Sequence, residues 1–289
     1  MSRARRTGRR GRPPVTDGAL LLRRTPYGES SLIVHVLTRS SGRVELIAKG
    51  AHRPKSRFCG VLDWFDTLSL EWTPSRVPGE LGTLRTGQLV QRRRGPTRDL
   101  GAYRAAQTMV ELVDLATRAG AVEQGTFELL ERGLDALDRV AGGGAGPAPA
   151  LVLATFELRL LGVLGLEPAL ERCAVCGEPA PPPDGAQGRA AFSTQAGGRL
   201  CPRHAAELHA QGVRVGTLPL DVLERAAELA EGRKGSERRA DPERLLDFAA
   251  RFLDHHLESR PRSHAHFLAA PDRNRRGAAQ AAPPRARPR

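Results

Sequence analysis

Four residues with metal-ligating side chains fall into two short pairs. Cys173 and Cys176 are separated by two residues, and after 24 further residues Cys201 and His204 repeat the same spacing. Two such knuckles can supply four tetrahedral ligands to one zinc ion, with a Cys3His donor set. Glycines next to both pairs suit the tight turns of such knuckles. Because four protein ligands leave no open position for a substrate, we predict one structural Zn2+ here rather than a catalytic centre.

A second group of chemically active side chains lies in the stretch AKGAHRPKSRFCG, residues 48–60. It carries four cations and no acid, and glycines lie on both sides of the charges. The cations are Lys49, Arg53, Lys55 and Arg57, and the neighbouring predicted strands add Arg23, Arg24 and Arg43. Lysines and arginines that follow a phosphate chain, with few groups to read bases, are typical of sequence-independent nucleic-acid binding. These seven residues are the predicted nucleic-acid contacts.

Two further patterns favour structural roles. Asp254, His255 and His256 spell the triplet of a phosphoesterase family, but they lie inside an apolar-periodic helix, so the pattern favours a packed helix end. A metal-dependent phosphoester hydrolase using this triplet stays open as an alternative. Cys59 is predicted to be a packed thiol beside Phe58 rather than a nucleophile.

The positive charge of the chain is unevenly distributed. Of a net charge of +13, the arginine-rich ends at residues 1–16 and 271–289 carry +6 and +5. Residues 17–100 carry +6, whereas residues 101–270 carry −4. We predict that both ends are disordered tails that add only non-specific attraction to phosphates. The cationic surface of the folded body therefore belongs to its first third.

Composition also limits the class of protein. A chain of 289 residues with 40% hydrophobic content can bury a core, and its length favours two domains. No apolar run is long enough for a membrane span, and no apolar segment follows the first arginines as a secretion signal requires. Four cysteines, two of them closely paired, suit a metal site in a reducing compartment. We expect a cytoplasmic protein without a membrane partner.

Periodicity places these residues on two kinds of scaffold. Five short strand-like segments between residues 18 and 91 leave no room for crossover helices, which predicts a small antiparallel barrel. An OB-fold and an SH3-like barrel fit this pattern equally well. From about residue 100 the period becomes helical, and residues 150–166 are apolar almost all round, as in a central buried helix. Residues 141–149 are predicted to be a linker.

The chain resembles the RecO family of bacterial recombination mediators. The resemblance rests on the run from YGESS to AKGAHRPKSRF, on FELRLLGVLGLEPALERCAVCG, and on FSTQAGGRLCPRH and FLDHHLESRPRSHAHFL. It implies an α+β protein with an N-terminal OB-fold β-barrel followed by an all-α domain with an inserted zinc finger. The domains would be residues 17–97 and 98–270, with the finger at about 172–212, between tails at 1–16 and 271–289.

The resemblance also implies a function. Such proteins bind single- and double-stranded DNA without enzymatic turnover, anneal complementary strands, and remodel single-strand-binding protein. With the partner RecR they help to load the RecA recombinase. The basic stretch would contact DNA, and Cys173, Cys176 and Cys201 match three of the four finger cysteines. His204 stands where the usual pattern has a fourth Cys. From the residues alone, an RNA-binding factor with an OB-fold and a zinc finger remains the alternative.

Overall fold

The computed structural model describes residues 12–77, 79–120, 125–141, 147–180, 188–233, 240–257 and 261–267. The predicted disordered tails, apart from residues 12–16, lie outside the described residues, as does most of the predicted linker. Among the described helices, none combines the length and the apolar character needed to cross a membrane.

The first third of the chain forms a closed five-stranded barrel, whose strand order is β1-β2-β3-β5-β4. Neighbouring strands are antiparallel except β3 and β5, which close the barrel in parallel register at Leu46 and Ile47. This arrangement confirms the predicted OB-type Greek-key barrel and replaces the SH3-like alternative. The strands are β1 (Val15–Tyr27), β2 (Ser31–Thr38), β3 (Gly42–Ala48), β4 (Thr67–Thr73) and β5 (Gly82–Gln91).

The barrel interior is filled by alternate residues of its strands. Val34 and Val36 of β2 point inward with Leu46 of β3, and Leu68 and Leu70 of β4 meet them; all five are fully buried. On β1 both faces are buried from Ala19 to Leu22, because the outer face is covered by helices. The pairing of β1 with β2 shifts register between Leu21 and Arg23, and both arginines after this bulge are exposed.

The remainder of the chain is mostly helical and packs around one central helix. This helix, α4, is apolar on nearly all sides, and eight of its residues are buried, as its sequence predicts. The helices are α1 (Gly95–Arg98), α2 (Leu100–Ala116), α3 (Thr126–Ala141), α4 (Pro149–Val163), α5 (Pro202–Ala210), α6 (Leu220–Glu231) and α7 (Pro242–His256), followed by a 3-10 turn (Arg262–His266). A small sheet with the order β7-β6-β8 lies between α4 and α6 in sequence, formed by β6 (Arg189–Ser193), β7 (Gly198–Arg199) and β8 (Gly216–Pro219).

Barrel and helices share an apolar interface with a polar border. Three barrel side chains pack into the hydrophobic core of the helical part: Leu20, Leu22 and Leu37. At the border, the fully buried Arg93 guanidinium donates to Asp135 of α3 at 2.6 Å and to the Phe65 carbonyl at 2.8 Å. A buried guanidinium with such partners fixes the orientation of the two halves, because moving them apart would leave a buried charge unpaired.

A second polar contact at the border depends on Asp114 of α2. Its carboxylate lies 3.1 Å from His35 Nδ1 and 3.5 Å from Arg43 Nη1. Burial acts to raise the pKa of Asp114, but the hydrogen bond from His35 and the positive charge of Arg43 outweigh it, so the pKa is lowered overall. Ionised Asp114 therefore holds the barrel against α2.

We expect Asp114→Asn to lower the free energy of unfolding at pH 7 by about 1–3 kcal/mol, the usual cost of losing a charged hydrogen bond. A folded-state pKa below the unfolded one stabilises at pH values above the unfolded pKa, and this contribution is lost as the pH falls through the folded pKa. The difference between the two proteins in urea unfolding should thus shrink below about pH 4. Asp221→Asn, at an exposed carboxylate of α6, serves as the control. A difference that is constant with pH would contradict this assignment.

Candidate nucleic-acid interface and metal centre

The predicted basic stretch forms a loop of successive turns after β3, which we call the basic loop (residues 49–60). Backbone hydrogen bonds join Arg53 N to the Gly50 carbonyl at 3.1 Å and Ser56 N to the Arg53 carbonyl at 2.9 Å. Gly50 begins the loop with a φ of 70°, a conformation that glycine adopts without strain. Phe58 anchors the loop in the barrel core, where it is 3% exposed. The loop is therefore fixed at its base while its cations point outward.

The four cations of the basic loop are available to a ligand. Lys49, Arg53, Lys55 and Arg57 are all exposed, and none forms an ion pair with a carboxylate among the described residues. Arg57 lies over the Phe58 ring, with 5.2 Å between its guanidinium carbon and the ring centroid. The structure thus presents at one end of the barrel the positive surface that the sequence predicts.

The other predicted contacts divide into two groups. Arg24 bonds to the chain two residues beyond the basic loop, because its guanidinium donates to the Leu62 carbonyl at 3.1 Å. Arg23, its exposed neighbour, lies beside it on β1. Arg43 lies at the opposite end of β3, roughly 20 Å along the strand from Lys49. Its guanidinium donates to the Asp114 and Thr117 carbonyls and pairs with Glu45, so it serves the contact between barrel and helices.

One prediction in the basic loop is wrong. Cys59 was expected to be a packed thiol, but it is exposed, whereas the preceding Phe58 is buried. In a turn, adjacent side chains point in different directions, so Phe58 takes the position in the core and Cys59 faces outward. No further role follows from this thiol.

The four predicted metal ligands come together at the base of the small sheet. The donor atoms of Cys173, Cys176, Cys201 and His204 all lie within 4.8 Å of one another. His204 directs Nδ1 at the cysteines, 3.5 Å from Cys173 Sγ and 3.2 Å from Cys201 Sγ. Ligands around a tetrahedral zinc ion with bonds of about 2.0–2.3 Å lie on the order of 3.5 Å apart, so the cluster fits such an ion.

Local structure explains why each pair converges. The first pair lies in a turn closed by a hydrogen bond from Gly177 N to the Cys173 carbonyl at 2.9 Å, with Gly177 in the left-handed region. In the second pair, Cys201 is the N-cap of α5 and His204 lies in its first turn, so residues three apart share one helix face. Both pairs therefore present ligands toward one point.

The electrostatics of the cluster also suit a cation. Burial raises the pKa of the Cys173 thiol, but hydrogen bonds from the backbone of Cys176 and Cys201 lower it to about 6. For Cys176, a backbone hydrogen bond from Glu178 lowers the pKa, yet burial and the neighbouring sulfurs raise it overall. Several thiolates at this spacing repel one another unless a positive ion lies between them. The donor set could therefore hold a metal ion.

The DHH triplet lies at the end of α7, where the His255 and His256 rings meet edge-to-face at 5.0 Å between centroids. Asp254 is turned toward the buried His264, with 3.5 Å between Oδ1 and Nδ1, while the His256 ring packs on Phe252 at 4.6 Å between centroids. His255 is exposed. This is the packed helix end that the sequence pattern favours.

Comparisons with known proteins cover nearly all of the described residues. The family model described as "Recombination protein O N terminal" matches residues 14–93, and "Recombination protein O C terminal" matches residues 97–265. The protein named DNA repair protein RecO from Listeria monocytogenes serotype 4b (strain F2365) is 30% identical over 184 residues, which is 64% of this chain and 66% of that protein. Its counterpart from Exiguobacterium sibiricum is 34% identical over 65% of this chain and 69% of that protein. Another, from Anaeromyxobacter sp. (strain K), is 36% identical over 63% of this chain and 67% of that protein. The aligned region thus spans about two thirds of each relative.

Proposed function

Because the chain belongs to the RecO family of DNA repair proteins, we propose that it is a non-catalytic DNA-binding recombination mediator. It binds single- and double-stranded DNA, anneals complementary single strands, and helps to load the RecA recombinase onto DNA coated by single-strand-binding protein. RecR and single-strand-binding protein are its proposed protein partners. The observation that carries this proposal is the exposed set of cations on the basic loop, which pair with no carboxylate in the described part of the chain.

The chemistry of annealing explains why such a surface is useful. Two complementary strands repel each other through their phosphates until cations reduce that charge. Lys49, Arg53, Lys55 and Arg57 can contact successive phosphates and release the condensed counterions, which favours binding at low salt. The binding energy comes from the DNA backbone, so it is independent of base sequence, as a mediator that acts on any damaged site requires.

Arg23 and Arg24 extend the proposed DNA surface along β1, and Arg43 is left out of it. The Arg43 side chain is only 16% exposed, and its two terminal nitrogens bond to the Asp114 and Thr117 carbonyls and to Glu45. A phosphate would have to break those bonds before it could bind there. The proposed surface therefore consists of six residues, two on β1 and four on the basic loop: Arg23, Arg24, Lys49, Arg53, Lys55 and Arg57.

The proposed cofactor is one structural zinc ion held by Cys173, Cys176, Cys201 and His204. When bound, the ion would neutralise the thiolates and hold two separate chain segments together. The protein's own residues then place the small sheet on the helical core, where Phe192 of β6 packs against Phe248 of α7 at 5.4 Å between centroids.

Strand-annealing kinetics test the proposal directly. Two complementary oligonucleotides, each coated with single-strand-binding protein, should anneal several-fold faster when the full chain is added. Residues 12–270, which keep all of β1, should retain this activity at moderate salt if the tails add only non-specific attraction. RNA of the same sequence should compete poorly with single-stranded DNA; equal competition would favour the RNA-binding alternative. No acceleration of annealing by the full chain would overturn the mediator proposal.

A further inference from the structure

A groove of about 660 Å³ lies where the barrel meets the helical part, and we call it the junction groove. Its walls come from three places: β1, the segment before β4, and α2, with the 3-10 turn at one end. Its volume is in the range of sites that bind small organic groups. The lining residues that matter here are Arg23, Trp64, Phe65, Tyr103, Val110 and Arg262.

The inner surface of the groove is apolar and aromatic. Leu22, Phe65 and Val110 form its floor and are each at most 3% exposed. Tyr103 of α2 is 37% exposed and meets the Phe65 ring edge-to-face at 5.6 Å. Trp64, half-buried, also lines the groove. Aromatic rings held at the edge of an apolar floor form a surface on which another flat ring can stack.

The backbone beside the groove is strained in a way that positions these rings. Phe65 has a φ of 70°, and it is the one described residue other than glycine with a positive φ. A bulky residue adopts this conformation only where its surroundings hold it, and such strain concentrates at binding sites. Here the Phe65 carbonyl accepts a hydrogen bond from buried Arg93 at 2.8 Å. The strain places the Phe65 ring in the floor while Trp64 lines the side of the groove.

The exposed charged side chains at the groove are arginines, whereas its two carboxylates are half-buried. Arg23 and Arg262 are both exposed at the groove. Two carboxylates also line it, but both have partners already. Glu111 accepts hydrogen bonds from the Arg262 and Ser263 backbone N–H groups and from the Ser263 hydroxyl. Asp114 is paired with His35 and Arg43.

The junction groove is continuous with the proposed DNA surface. The Arg24 guanidinium lies over the Trp64 ring at 5.3 Å and donates to the Leu62 carbonyl, two residues beyond the end of the basic loop. Arg23, the next residue, lines the groove itself. A strand whose phosphates follow the basic loop and Arg24 would therefore reach the groove at Arg23.

We propose that the junction groove binds an unstacked base of single-stranded DNA, stacked against Tyr103 and Trp64, while Arg23 and Arg262 hold the flanking phosphates. This inference rests on the proposed function, because it needs a strand on the basic loop. A nucleotide fits better than a peptide side chain, since it combines a flat ring with a negative charge that Arg23 and Arg262 attract. The groove would bind any base, because every base has a π-face.

The test compares two probes in fluorescence anisotropy: oligo(dT), and an abasic oligonucleotide of the same length, which keeps the phosphates and lacks the bases. Tyr103→Ala should weaken oligo(dT) binding about tenfold and abasic binding less than twofold. Tyr103→Phe, which keeps the ring, should bind both probes as the parent does. Fluorescence of Trp64 should be quenched by oligo(dT) and not by the abasic probe, since Trp72 is buried in the barrel at 2% exposure.

Each outcome separates this inference from the proposed function. If Tyr103→Ala leaves oligo(dT) binding unchanged while charge reversal in the basic loop abolishes it, the groove is not a base site and the proposed function stands. An equal loss for both probes would mean that Tyr103 only supports the fold, which also overturns the inference. If neither the groove variant nor the loop variant changes DNA affinity, the proposed function itself fails. If the groove binds a peptide instead, Tyr103→Ala should leave oligo(dT) binding unchanged.

Discussion

Replacing Lys49 and Arg53 together by glutamate will weaken binding to single-stranded DNA by about a hundredfold at 0.1 M salt. Each phosphate contact that is lost no longer releases a counterion when DNA binds, and each glutamate repels the phosphates. Both side chains are exposed and neither pairs with a described carboxylate, so the free energy of unfolding should change by less than about 0.5 kcal/mol. Anisotropy with a labelled oligonucleotide gives the affinity, and urea unfolding gives the stability.

The salt dependence of DNA affinity provides a second measurement of the same two lost contacts. For single strands the slope of log affinity against log salt is about −0.7 for each phosphate contact, so losing two contacts should flatten the slope by about 1.4. Arg132→Glu with Arg139→Glu is the matched control, because both arginines are exposed on α3 and the change in net charge is equal. If this control weakens binding as much, net charge rather than the basic loop is responsible. Unchanged affinity in the Lys49 and Arg53 variant would remove the loop from the mechanism.

The barrel and the ligand cluster were predictable because their determinants are local. Strand residues such as Val34 and Val36 alternate with half-buried neighbours, and that alternation is visible in the sequence. Likewise, Cys201 and His204 share a helix face as soon as Pro202 begins α5. In both cases the information lies within a few residues. The choice between an OB-fold and an SH3-like barrel needed the pairing of β3 with β5, which is set by packing between distant segments.

The less predictable features depend on contacts between the two halves of the molecule. Arg43 carries the same charge as its neighbours in sequence, but α2 brings Asp114 and two carbonyl groups to its guanidinium. Tyr103 was not singled out as a candidate, because in the sequence it is one aromatic residue at the start of a helix. Only the packing of α2 against Phe65 places its ring beside the barrel. The sequence thus shows that a charged or aromatic residue could bind a ligand, but its neighbours in the folded protein determine whether it is free to do so.

We expect the small sheet to depend on a metal ion bound by the Cys3His cluster more than on a core of its own. It has three strands, one of them only two residues long, and its buried Ala190 and Phe192 belong to the core of the helical part. Such a sheet buries too little apolar surface to be stable alone. Metal binding adds roughly 10–16 kcal/mol in isolated structural zinc peptides, which is enough to order it. We therefore expect a bound ion and the contact of Phe192 with α7 to stabilise the sheet together.

Cys176→Ser will accordingly lose the metal and lower the unfolding temperature by about 10 °C or more. Cys176 is the informative position because its side chain is exposed, so the substitution removes a ligand without leaving a cavity, as replacing buried Cys173 would. Release of zinc to a colorimetric chelator should fall from one ion per chain to none. Addition of a strong chelator to the parent protein should reproduce the loss of stability.

Two matched variants test whether the loss of zinc and of stability is caused by removing a metal ligand. Cys59→Ser also removes an exposed thiol, but it lies in the basic loop and should leave both metal content and unfolding temperature unchanged. His204→Cys converts the donor set to four thiolates, which zinc accepts in tetrahedral sites, so it should keep one ion per chain. One ion retained by Cys176→Ser, with an unchanged unfolding temperature, would show that the cluster is not the site. Loss of the ion with unchanged stability would instead mean that the helical core alone orders the sheet, because the packing of Phe192 on α7 would then suffice.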